Sequence, residues 1–181
     1  MVTSFTSVGE GLLQQAILRL KSYKEMSDKA IAQLSQEQLY WMPQTGSNSV
    51  AVIMQHMAGN MLSRWTNFLT EDGEKSWRDR DQEFLKPEGD AEQLIKSLET
   101  AWDCLFRALQ QLQACDLLKS ITIRGEQIQV FDAILRQLMH YSSHVGQIIY
   151  LAKMMKAEDW HPLTIASGQS KNYNKKMGYQ P

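Results

Sequence analysis

The amino-acid sequence predicts an all-α protein, a four-helix bundle with a short β-hairpin before the last helix. Three observations carry this. Apolar residues recur at the three-to-four spacing of a buried helical stripe over four long stretches. Between the third and fourth stretches the period drops to two around a glycine, the pattern of a small hairpin. The chain has 181 residues, 43% of them hydrophobic and 22% charged, which is enough apolar material for one full core. A single domain over 1–181 is therefore expected, with 156–181 as an irregular tail.

In chain order, residues 1–34 read as a first helix with Leu12, Leu13, Ile17, Leu20, Ile31 and Leu34 on its stripe. Ser35 and Gln38 have the spacing of a capping box and predict a helical turn before Met42-Pro43, where the proline breaks the chain. Ser49 is a suitable N-cap for a second helix reaching Leu69, marked by Val50, Ile53, Met54, Met57, Met61, Leu62, Trp65 and Phe68. Residues 70–89 contain Asp72-Gly73, Pro87, Gly89 and the charge run Arg78-Asp79-Arg80-Asp81 with Glu83. They read as a structured loop in which Trp77, Phe84 and Leu85 are buried and the charge run is solvated and internally paired, with a place on the rim of a pocket left open.

Asp90 and Gln93 form a second capping-box pattern, opening a third helix with the stripe Leu94, Leu98, Ala101, Leu105, Leu109 and Leu112. Ile121-Thr122-Ile123 and Gln127-Ile128-Gln129-Val130 flank Arg124-Gly125-Glu126 as the hairpin. A fourth helix is expected from Val130 to Met155, with Phe131, Ile134, Leu135, Leu138, Val145, Ile149 and Ala152 on its apolar face. From Glu158 onward the tail reads as irregular and exposed.

Nineteen basic and twenty acidic residues leave a net charge of −1, so no field is available to attract nucleic acid or an anionic membrane surface. The first twenty residues lack the charged start and apolar block of a signal peptide, and no apolar run is long enough to span a bilayer. A cytoplasmic, reducing environment is the expectation. Cys104 and Cys115 form no metal or redox motif and read as free thiols.

The chemistry concentrates on three histidines. His140 and His144 stand four apart, one above the other on a helix face, and His56 lies mid-way along the second amphipathic stretch. Three neutral imidazoles can share one divalent ion and leave a coordination position open, unlike a closed four-ligand structural site. Asn60 and Arg64 follow His56 at steps of four and could line a pocket. Alternatively, Asn60 ties helices together and Arg64 pairs with an acid of the following loop. Asp132, two turns before His140, could orient a ligand, or it serves the helix dipole alone. His161, before Pro162 and outside the helices, reads as a surface residue.

This pattern resembles the DinB/YfiT-like family, regarded as metalloenzymes. The likeness covers residues 5 to 155: Asn48-Ser49-Val50 through His56-Met57-Ala58-Gly59-Asn60, the turn Arg124-Gly125-Glu126, and His140-Tyr141-Ser142-Ser143-His144-Val145-Gly146-Gln147-Ile148. The run from Ser63-Arg64-Trp65 to Phe84 resembles a subgroup without an assigned activity. The resemblance implies a homodimer with a divalent metal on His56, His140 and His144; zinc or nickel is expected first, with manganese or cobalt as further candidates, since the ligand set alone does not decide among them. It also implies a small-molecule substrate and reactions that use a low-molecular-weight thiol, since relatives include thiol-dependent S-transferases. The competing expectation is a non-catalytic, stress-related bundle that binds a metal or a ligand.

Overall fold

A computed structural model describes residues 5–179 as a mostly helical protein with six helices and one two-stranded antiparallel hairpin. The parts of the expected first helix and tail at 1–4 and 180–181 lie outside the described residues. Four helices are long: α1 (Val8–Ile31), α3 (Val50–Trp65), α4 (Ala91–Gln110) and α5 (Val130–Lys156). Two are short: α2 (Gln36–Tyr40) and α6 (Ser170–Lys176). Among the described residues no helix is long and apolar enough to cross a membrane.

The local signals place most helix starts. Ser49 caps α3 by accepting from the Val52 amide, whereas α1 is shorter than the expected 1–34, beginning after the cap Ser7 and ending at Ile31. The Ser35/Gln38 capping box forms in full at α2. At α4 only the Asp90 half forms, accepting from the Gln93 amide. α3 stops at Trp65, four residues before the expected end. Thr66 turns extended and Asn67 has φ 49°, a left-handed backbone that no helix accommodates. Phe68 is still buried, tilted edge-on to Trp65, whereas Leu69 is exposed.

α3 packs on α4 and on α5, while α1 packs on α5 and touches α4. The shared core draws Leu13 and Leu20 from α1, Met54, Met57 and Met61 from α3, Leu98, Trp102 and Leu105 from α4, and Ile134, Tyr141 and Ile148 from α5. α5 exposes Leu135, which the periodicity had placed inside, and buries Tyr141. The tail differs from expectation in carrying the short exposed helix α6, and His161 is tied down by paired bonds with the Gln33 side chain at the end of α1. The His161 ring lies on the surface.

The hairpin pairs β1 (Ser120–Ile123) with β2 (Glu126–Gln129), Ile121 facing Ile128. Arg124 and Gly125 both take positive φ, 57° and 76°, the mirror-image two-residue turn that suits the twist of a hairpin. The loop of residues 70–85 binds this turn. Gly73 donates to the Thr122 carbonyl at 2.7 Å, and Asp72 accepts from the amides of Arg124 and Gly125 at 2.8 Å each.

The loop therefore differs from its expected character. Trp77 and Leu85 are more than half exposed, and the charged side chains form its interior: Arg78 is 2% exposed and Glu83 8%. Asp79, Arg80 and Asp81 are the solvated members of the run.

The bond from the Glu74 amide, then those from Gly125 and Arg124, hold the Asp72 carboxyl below its ordinary range. A depressed folded-state pKa contributes stability above the unfolded value of about 3.9, and that stability is lost as pH falls through the folded value. The Arg124 and Gly125 amide resonances should hold steady from neutral pH to about 4 and move only below it. In Asp72→Asn that acid transition should vanish; an unchanged titration would show that Asp72 does not clamp the hairpin.

Candidate metal centre

The three histidines meet where α3 crosses α5. His56 and His140 place their Nε2 atoms 3.3 Å apart, and His144 places its Nε2 3.0 Å from that of His140. Nitrogens bonded to one ion at about 2.1 Å stand about 3.0 Å apart at a right angle and about 3.4 Å apart at a tetrahedral one. Both separations lie in that interval. The group comprises these three ligand atoms, all within 4.8 Å of one another.

The hydrogen bonds behind the rings decide which nitrogen carries the proton. The Nδ1 of His56 lies 2.9 Å from Glu83 Oε2. Burial works against the charged form of Glu83, but bonds from Arg78 and His56 outweigh it and hold the carboxyl below its ordinary value. An ionised carboxylate only accepts, so His56 Nδ1 donates, and in the neutral imidazole a proton on Nδ1 leaves the lone pair on Nε2. His144 Nδ1 lies 3.2 Å from Gln147 Oε1, which leaves the Nε2 of His144 bare in the same way. Burial, followed by the neighbouring His144 and His56, pushes His140 down to about 3; burial also lowers His144. Both are neutral at pH 7, the form that binds metal. Lone pairs converging on one point, two of them held there by a second layer of bonds, suit a divalent cation.

Glu83 is the residue beside the histidines that periodicity does not find. It sits on the single turn Gln82–Phe84, 27 residues after His56, and its partner Arg78 grips it with two bonds, Nε to Oε1 at 2.7 Å and Nη2 to Oε2 at 2.8 Å. Phe84 packs against the His56 ring, tilted by 32° with centroids 4.6 Å apart. The one local signal is Gly59. A glycine inside a helix costs about 1 kcal/mol relative to alanine, so its presence calls for a packing reason. Here a Cβ at Gly59 would overlap the Glu83 carboxylate.

Asn60 and Arg64 line a cavity beside His56 and His140 and also make bonds that brace the fold, whereas Asp132 is not among its lining residues. Asn60 accepts from the Tyr141 hydroxyl at 3.0 Å, and that hydroxyl accepts from Trp65 Nε1 at 3.1 Å, a buried chain joining α3 to α5. Arg64 donates to the Gly73 carbonyl and pairs with Glu74 at 3.0 Å. Glu74 also binds Arg78 and Arg124, so one carboxylate collects three guanidinium groups. Asp132 is exposed in the first turn of α5, where the dipole favours an acid, and it forms no hydrogen bond with the histidines. Cys104 and Cys115 are free; neither belongs to the cluster.

Three convergent imidazoles on a helical scaffold define the chain as one that could hold a metal ion. Residues 7–169 match the model of the family described as protein of unknown function (DUF1572), a DinB-like family, and the chain belongs to it. No curated protein matches the chain.

Removing one partner of a buried ion pair strands the other, at a cost of about 3–5 kcal/mol. Glu83→Ala should lose stability on that scale in a denaturant titration. Gly59→Ala tests the same contact from α3. On propensity alone it would stabilise by about 1 kcal/mol, but displacing Glu83 should make it a net loss. A more stable Gly59→Ala protein would show that the close approach of Glu83 to α3 places no constraint on the fold.

Proposed function

We propose that this chain is a single-domain, DinB-like four-helix-bundle protein that holds one divalent metal ion on His56, His140 and His144 and acts as a metal-dependent enzyme on a small molecule. The observation that carries the proposal is the convergence of three imidazoles, with His140 Nε2 3.3 Å from that of His56 and 3.0 Å from that of His144, all three ligand atoms within 4.8 Å, and Glu83 and Gln147 bonded behind two of the rings. The donor set is all nitrogen and suits zinc or nickel, with cobalt and manganese also compatible. Bound there with no carboxylate ligand, such an ion would keep its +2 charge and lower the pKa of a water or thiol near it.

The chain's own residues do the preparatory work. Glu83 fixes the tautomer and angle of His56, Gln147 does so for His144, and burial keeps His140 unprotonated. The Trp65–Tyr141–Asn60 bonds brace α3 against α5, so the ligands on the two helices hold their spacing. Two residues that could have closed the site as a fourth ligand are Asn60, engaged with Tyr141, and Asp132, turned to solvent. This favours an open, catalytic site over a purely structural one. A low-molecular-weight thiol as co-substrate, transferred to an electrophile, is the reaction type that the family resemblance favours. We take the working unit to be a homodimer.

The direct test is elemental analysis of tag-free protein beside His144→Ala. Near one equivalent of metal per chain in the parent, with clear loss in the variant, is expected. No metal in either, even after incubation with zinc, nickel and manganese, removes the proposal. Loaded protein should then be screened with thiols and electrophiles, and its mass in solution measured by light scattering.

A further inference from the structure

Beside the histidines a cavity of about 180 Å³ is lined by five arginines, Arg64, Arg78, Arg80, Arg124 and Arg136. His56 and His140 also line it, and none of the described residues lining it is acidic. In a chain of net charge −1 this is a strong local concentration of positive charge. Arg64, Arg78 and Arg124 share the carboxylates of Glu74 and Glu83, which lie behind them. Arg80 and Arg136 are different. Among the described residues neither has a carboxylate within ion-pair distance, and both reach solvent. Arg80 is nevertheless held in place, its guanidinium carbon 4.9 Å from the centroid of Phe84, the ring that packs against His56.

A second observation points to a ligand. Gln137 lines the same cavity, is 4% exposed, and its Oε1 has no hydrogen-bond partner. A buried polar atom without a partner is costly, and a ligand group or water in the cavity would satisfy it. Guanidinium forks match the planar or tetrahedral oxyanions of carboxylate and phosphate. A cavity of about 150 Å³ admits a benzene molecule, so there is room here for one such anion with a few attached atoms.

We propose that this cavity is the substrate-recognition site and that the small molecule carries an oxyanion, a carboxylate or a phosphate, held by Arg80 and Arg136 with Gln137 meeting a hydrogen-bond donor beside it. The anion then points its attached atoms toward His56 and His140. The inference rests on the metal-dependent reading for its catalytic meaning, but the binding itself needs only the arginines and Gln137. In this reading Arg80 and Arg136 select and orient the anion.

The test is titration calorimetry of chelator-treated, metal-free full-length protein with sodium phosphate and, separately, with sodium malonate at low ionic strength. Saturable binding of one anion per chain is expected for at least one probe, and the tighter probe identifies the oxyanion. Arg80→Gln and Arg136→Gln should each weaken it at least tenfold, and Gln137→Leu severalfold without any change of charge. Arg107→Gln, on α4 and outside the cavity, should bind as the parent does. Arg80 and Arg136 are exposed, so their variants should melt with the parent. No saturable binding of either anion, or equal binding by the Arg80 and Arg136 variants, would overturn the proposal. Because no metal is present, that outcome leaves the metal-content result standing, and a failed metal assay leaves this one readable.

Discussion

The buried carboxylate of Glu83 is the interaction on which the site depends. It is shared between an imidazole and a guanidinium, His56 on one side and Arg78 on the other, with both oxygens occupied. A carboxylate taken out of water is expensive, and it persists only where its lone pairs are met by good donors. Arg78 supplies the opposite charge and His56 an N–H. Gly59 supplies the space, since a side chain there would push the carboxylate off α3. The same bond that satisfies Glu83 sets the tautomer of His56. Stability of the loop and the tautomer of His56 are thus one piece of physical chemistry.

From Glu83 the constraint spreads outward through shared groups. Arg78 reaches Glu74, Glu74 reaches Arg64 and Arg124, and Asp72 holds the backbone of the hairpin turn. The hairpin runs directly into α5, whose first residue, Val130, donates to the Lys119 carbonyl just before β1. The loop after α3 therefore helps set where α5 begins, and so how His140 and His144 are presented to His56. It also explains why the cavity is so basic. The carboxylates of the network lie behind the arginines, leaving guanidinium groups forward around the histidines.

Much of this was legible in the residues. The helix starts follow from Ser35, Ser49 and Asp90, and the apolar stripe of α4 is buried throughout. The hairpin was readable because Arg124-Gly125 interrupts a period of two. The histidine triad was legible from His-x-x-x-His on one helix and a lone histidine on another, aided by a family resemblance. The misplaced readings have a common cause. Leu69, Trp77, Leu85 and Leu135 were assigned to the interior because they are apolar, and each is exposed. Arg78 and Glu83 were assigned to solvent because they are charged, and each is buried. Polarity predicts burial one residue at a time, whereas a saturated network of hydrogen bonds and ion pairs lets charges go inside together.

The sequence by itself determined the helical periods, most of the caps, the turn and the identity of the three imidazoles, because those depend on neighbours a few residues away. Only the tertiary structure decided that Glu83 stands behind His56, that Arg64 and Asn60 brace the fold, and that five arginines surround one cavity. These pairings join residues 10 to 81 positions apart. No local pattern encodes them, since a side chain's partner across the fold is set by how whole helices and loops pack.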